Sequence, residues 1–311
     1  MEEMQYDWKQ TRKAFSRIGW AFCAILGVSF VLQLIWVVLP TVIWGEDNWA
    51  TASSWGMWLG TFLPLYAGAI PIGLWILKKL PAEKPESHPL GTKNFFVFFA
   101  IGYCLMYGGS LIGNTLSSWL SGGNAENAVL DYAMDTNPLK VLFMVFLAPI
   151  LEEYVCRKQV IDRTKRYGEK IAALLSAVIF GLLHQNLFQF FYAFGVGLVF
   201  AYIYLRTGRL RYTIGLHIIF NFMGSVIAPE LLLLLETESV VGVMVYLLYI
   251  LFLLGVSVAG LVLLIKMRKR LIWKEAQEPL PKGTALKTVY LNAGMILYML
   301  LCTAFTVIAL M

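Results

Sequence analysis

The stretch FLAPILEEYVCRKQ (residues 147–160) ends an apolar run with two adjacent glutamates, Glu152 and Glu153, and places Arg157 four residues after the second. A charge inside a bilayer costs at least about 2.5 kcal/mol on insertion scales, so acids in such a run imply a partner or a task. On a helix Arg157 shares a face with Glu153 and can pair with it. Glu152 is rotated by roughly 100° away from that face. Two of the three histidines stand in similar surroundings: FGLLH sets Phe180 and His184 four apart, and HIIFN sets His217 and Asn221 four apart. Imidazoles in such places can move protons, hydrogen-bond or bind metal. The Asn221 amide can donate but cannot act as a base. His88, in a Pro-rich connector, reads as an exposed side chain.

Each group also has a plainer role. The glutamates beside Arg157 and Lys158 could be an interfacial charge cluster, a lone histidine or asparagine an interhelical hydrogen bond, and Phe180 simple packing. What favours chemistry is that nearly all the strong titratable groups of the apolar segments are gathered in three short motifs.

Those motifs need helices to carry them. Of 311 residues, 59% are hydrophobic and 14% charged, with a mean hydropathy of +0.69; a soluble chain carries about a quarter charged residues. The expected fold is an all-α polytopic membrane protein, a single unit over 1–311 with a catalytic core at 139–225. Candidate spans are 18–44, 53–77, 95–119, 139–156, 171–187, 190–205, 213–235, 239–265 and 288–311, each near the roughly 20 residues needed to cross. Only His184-Gln185-Asn186 and Gln189 separate the fifth from the sixth. The first run is too long for a signal h-region and is expected to remain as an anchor. Within 121–138, a short interfacial helix is expected around Ala125–Met134.

Lysines and arginines supply a check. On nine spans, 24 of the 25 fall in alternate loops, the exception being Lys140. The positive-inside rule then puts the N-terminus in the cytoplasm and the C-terminus outside. Topology thereby accounts for the net charge of +6, and no nucleic-acid partner is implied. Cys23, Cys104, Cys156 and Cys302 lie in apolar spans without metal-like spacing, so neither disulfide nor zinc knuckle is expected. With Arg157 and Arg211 marking the membrane edge, Glu152 lies about 7–8 Å inward and His217 about 9 Å inward. His184, roughly 21 Å beyond Lys170, joins them only if its span begins in the cytoplasm or tilts strongly.

The three motifs EEYVCR (152–157), FGLLH (180–184) and HIIFN (217–221) fit EExxxR, FxxxH and HxxxN in order. In them the chain resembles the CPBP intramembrane proteases, which include type II CAAX prenyl endopeptidases and bacteriocin self-immunity proteins. The likeness covers about residues 139–225. It implies an endopeptidase acting on membrane-associated or CAAX-like peptides, integral to the plasma membrane, with a cavity open to cytoplasm and bilayer. By resemblance, Glu152 is the general base and works with His184 on a water; Glu153 and Arg157 support the site; His217 and Asn221 stabilise the oxyanion. No cofactor is expected. The alternative is a zinc held by Glu152, His184 and His217, against which stand the absence of HExxH and the poor ligand quality of Asn221. The competing functions are an ion- or proton-coupled transporter, which usually shows internal repeats not seen here, and a non-catalytic immunity or binding protein of the same fold.

Overall fold

A computed structural model describes residues 8–311, and the described residues contain helices and no strand. We label the main helices α1 (Trp8–Trp44), α2 (Ser54–Leu77), α3 (Thr92–Leu120), α4 (Ala128–Met134), α5 (141–164), α6 (Glu169–Leu183), α7 (Leu187–Thr207), α8 (Leu210–Glu236), α9 (Val240–Met267) and α10 (Ala293–Ile308). Each expected span falls on a helix. Six are long and apolar enough to cross a bilayer by themselves: α1, α2, α3, α7, α8 and α9. The other three depart for identifiable reasons. α5 carries the charges of the first motif, while α6 and α10 have 15 and 16 residues, about 22–24 Å, short of a hydrocarbon core of about 30 Å. The expected interfacial helix is α4, a little shorter than anticipated.

The ends of the helices sort by charge. At one end Trp8 bonds Thr288 (2.9 Å), Glu83 meets Lys165 (2.5 Å), Arg209 bonds Ser87 (2.8 Å), Lys274 meets Glu86 (3.0 Å) and Arg206 pairs with Glu169. The Lys165 ammonium holds the Glu83 carboxyl below its usual range. This basic end gathers the N-terminal helix start and every second connection, as an alternating path requires. At the opposite, acidic end the Asp135 carboxylate accepts from the Ser54 hydroxyl (2.6 Å) and the Trp58 indole (2.8 Å). Tyr132 of α4 bonds Thr61 of α2 (3.0 Å), so α4 is tied to the membrane helices.

Glycines allow close crossings, one of them beside the site. At Gly109 and Gly113 of α3 a Cβ would run into the backbone of α7 at Tyr192 and Leu187, so only hydrogen fits. That contact fixes the height of α7, and with it the hairpin bearing His184.

Proline explains most of the irregular helix. Three π-helical stretches, 64–69, 141–147 and 223–227, each end two residues before a proline: Pro71, Pro149 and Pro229. A proline lacks its N–H and crowds the carbonyl four residues earlier, and a wider turn relieves both faults. The fourth π stretch, Glu153–Gln159, has no proline and coincides with the first motif. Single π turns are frequent at functional sites.

Candidate active site

Arg157, read in sequence as marking the membrane edge, is enclosed by the protein. Its side chain and that of Glu153 are both 0% exposed, and they form an ion pair of 3.2 Å inside the bundle. α5 continues past it to Thr164, so Glu152 lies about 18 Å along the axis from the basic end of its helix. His184 joins the others, lining the same two cavities as Glu152. α6 starts at Glu169, at the basic end beside Arg206, and fifteen residues carry it to the same region.

The Arg157 guanidinium lies over the Phe180 ring (4.1 Å) and near that of Phe200 (5.7 Å). Ring faces are attractive to a desolvated cation, and Arg suits them through its flat, weakly hydrated head. Phe180 also stands edge-on to His184 (5.0 Å) and His217 (5.7 Å), so it orients three members of the site and is more than packing. Phe200, which no sequence motif marks, tilts against His217 (5.5 Å) as well.

His217 sits between the two glutamates. Its Nδ1 donates to Glu153 Oε1 at 3.2 Å, and its Nε2 lies 3.6 Å from Glu152 Oε2, beyond a good hydrogen bond but close for charges. Arg157, Glu153, His217 and Glu152 therefore form a continuous chain from buried cation to cavity. Glu153 is sealed, whereas the Glu152 side chain retains 23% exposure, which is what a carboxylate that must meet water needs.

His184 is held differently. Its Nδ1 lies 2.8 Å from the Phe180 carbonyl. A carbonyl only accepts, so Nδ1 carries the proton and the neutral ring presents its lone pair at Nε2.

Asn221 donates one amide hydrogen to the Met144 carbonyl at 2.8 Å. The reason lies in α5: the Ala148 N–H goes to Phe143, and the next residue, Pro149, has no N–H to offer Met144. Asn221 fills that vacancy and keeps a second N–H for other work.

Two cavities meet at this place. One, of about 370 Å³, lies among α1, α2, α5, the start of the α6–α7 turn and α10; the other, of about 230 Å³, lies among α3, α4, α5, α7 and α8. Glu152 and His184 line both, and His217 and Asn221 line the second. Sequence reasoning treated Gln185, Asn186 and Gln189 only as part of a break between spans. They form a bonded turn instead: Asn186 caps α7 at Gln189 (2.9 Å) and donates to its side chain (2.9 Å), and Gln189 donates to Tyr192 (2.7 Å). The signal was polarity in an apolar run.

Among the described residues no group of three or more His, Cys, Asp or Glu is arranged to hold a metal ion. Glu152, His184 and His217 share a site, yet His217 turns both nitrogens to carboxylates.

Known proteins bear on the same segment. The family described as type II CAAX prenyl endopeptidase Rce1-like matches residues 135–223. A putative membrane peptidase, YdiL of Bacillus subtilis (strain 168), is 26% identical over 162 residues, covering 50% of this chain and 66% of that protein. The membrane-embedded CAAX protease MroQ of Staphylococcus aureus (strain USA300) is 35% identical over 103 residues, 30% of this chain and 40% of that protein. The chain thus spans just under two thirds of the first relative and less than half of the second. No solved structure matches it. The three motifs and the cavity-facing cluster lie within or at the edge of the stretch, residues 135–223, that is similar to type II CAAX prenyl endopeptidase Rce1-like proteins, and the two relatives are a putative membrane peptidase and a membrane-embedded CAAX protease.

Proposed function

We propose that this chain is an integral-membrane endopeptidase that hydrolyses membrane-associated or CAAX-like peptides with a water activated by Glu152. The observation that carries the reading is the cluster itself: one partly exposed carboxylate and one oriented imidazole lining shared cavities, backed by a sealed ion pair. A water there can give one O–H to Glu152 and the other to the His184 Nε2 lone pair. Glu152 takes the proton as the water oxygen bonds to the scissile carbonyl carbon. The resulting oxyanion meets the free amide N–H of Asn221 and, in its protonated form, the Nε2–H of His217. When the C–N bond breaks, Glu152 returns the proton to the leaving amine. The Glu153–Arg157 pair holds Nδ1 of His217 and so fixes that ring.

The printed names of the relatives, a membrane peptidase and a CAAX protease, support the reaction class. A plasma-membrane location suits a topology ordered by basic loops.

Glu152→Gln keeps the shape and removes the base. Cleavage of a membrane-peptide library by the purified protein should fall by at least about 10². Full activity in that variant would refute the assignment. The donor set also favours a metal-independent reaction, so activity should survive exhaustive chelation. One zinc per chain, with activity lost on stripping and restored by zinc, would make Glu152, His184 and His217 ligands instead.

A further inference from the structure

The turn between α6 and α7 carries a chain of hydrogen bonds whose direction follows from which atoms can donate. The Gln189 backbone N–H only donates, so the Asn186 Oδ1 that it meets at 2.9 Å is the acceptor. Asn186 Nδ2 is then a donor, to the His184 carbonyl (2.7 Å) and to Gln189 Oε1 (2.9 Å). That leaves Gln189 Nε2 to donate to the Tyr192 hydroxyl oxygen at 2.7 Å. Tyr192 accepts in this bond, and its own hydrogen is left over. Among the described residues no protein group takes it.

Tyr192 stands where that hydrogen can act. It lines the smaller cavity together with Glu152, His184, His217 and Asn221, and its ring centroid is 6.3 Å from that of His184. α3 backs it closely: a Cβ at Gly109 would run into the Tyr192 backbone, so the ring is carried on a chain with little room to retreat. The donors already assigned to the oxyanion leave a gap that it can fill. Asn221 has one N–H to give once the Met144 carbonyl has taken the other. His217, with Nδ1–H bonded to Glu153, has no hydrogen at Nε2 unless the ring is protonated. A phenol keeps its hydrogen well above neutral pH, and a hydroxyl that accepts one bond donates the next more strongly.

We propose that Tyr192 is a further catalytic residue, whose hydroxyl donates to the oxygen of the scissile carbonyl as it becomes the oxyanion, and that Gln189 is the positioning residue that aims it. This rests on the endopeptidase reading. As the water oxygen bonds to the carbonyl carbon, the π pair of the C=O bond moves onto its oxygen. The Tyr192 O–H bond stays intact while its hydrogen bond to that oxygen tightens. When the C–N bond breaks, the pair returns to the carbonyl and the contact relaxes. A donor oriented before the charge develops needs no reorganisation at the moment of reaction.

The test uses the purified protein in detergent and the peptide that the wild type cleaves best from a membrane-peptide library. Tyr192→Phe should lower kcat by about 10², the scale of losing one oxyanion donor, with KM within about threefold of wild type. Gln189→Met keeps the hydroxyl but leaves it unaimed. It should cost about tenfold alone and nothing further on the Tyr192→Phe background, because the two residues act through one hydrogen bond. Two uncleavable copies of the same peptide separate this role from a merely structural one: a phosphinate, which carries the tetrahedral anion, and a methylene-amine isostere, which has no oxygen at that atom. Tyr192→Phe should lose at least about tenfold in affinity for the phosphinate and none for the isostere, and Gln189→Met should show the same selectivity. A kcat equal to wild type in Tyr192→Phe, or equal losses for the two analogues, overturns the proposal. Should Tyr192→Phe fail to fold, Gln189→Met decides: a loss confined to the phosphinate supports the role, and an unselective loss or none overturns it. No cleavage of any peptide by the wild type would instead count against the endopeptidase reading, and the role of Tyr192 falls with it.

Discussion

At the scale of single residues the site is organised around a buried ion pair, and this sets what substitutions do. Removing one partner of such a pair leaves an uncompensated charge and costs about 3–5 kcal/mol. Glu153→Gln should therefore lower the thermal midpoint in detergent as well as activity, because Arg157 keeps its full burial between Phe180 and Phe200. Adding Arg157→Met to that variant removes the stranded charge and should recover much of the midpoint but none of the activity, since His217 Nδ1 still lacks its carboxylate. Equal midpoints for the single and double variants would show that the pair does not carry the stability assigned to it. Glu152, by contrast, touches no buried cation, and its substitution should leave the midpoint nearly unchanged.

At the scale of helices, proline and π turns decide where side chains aim. Pro149 orphans the Met144 carbonyl, and Asn221 of α8 answers it across the cavity. Pro149→Ala supplies the missing N–H, so the helix should be at least as stable and Asn221 should lose its anchor. A displaced catalytic group can cost about 10² in rate. We expect kcat to fall by roughly tenfold to a hundredfold with an unchanged or raised thermal midpoint. A kcat equal to wild type would mean that Asn221 is positioned by something else. The π stretch at Glu153–Gln159 works in the same sense: with a wider turn, Glu153 reaches the sealed side of His217 while Glu152 reaches the open one.

At the scale of the whole molecule, the sorting of basic and acidic connections to opposite ends fits an odd number of crossings. A reporter fused at the C-terminus should appear outside the cytoplasm and one inserted within 270–285 inside it. Both reporters on one side would remove the nine-span path, and with it the assignment of the acidic end as external. Of this scale, alternation was legible because lysine and arginine obey membrane orientation regardless of how helices pack. Depth was not. Arg157 reads in sequence as a loop charge like Lys158, and only packing shows that it is enclosed while Lys158 turns to Asp162 at 2.9 Å.

Composition, basic-loop alternation and three motifs by themselves determined that the chain is an all-α membrane protein and named Glu152, Glu153, Arg157, His184, His217 and Asn221 as the residues to watch. Those features are local: a hydropathy run, a charge count and a four-residue spacing are all written within a few turns of helix. Tertiary structure alone decided that His217 bridges the glutamates, that Phe200 backs Arg157 and that Met144 anchors Asn221. Each of these joins residues far apart in the chain, and which of them meet depends on helix crossing, close glycine contacts and proline-driven turns that no short stretch of sequence records.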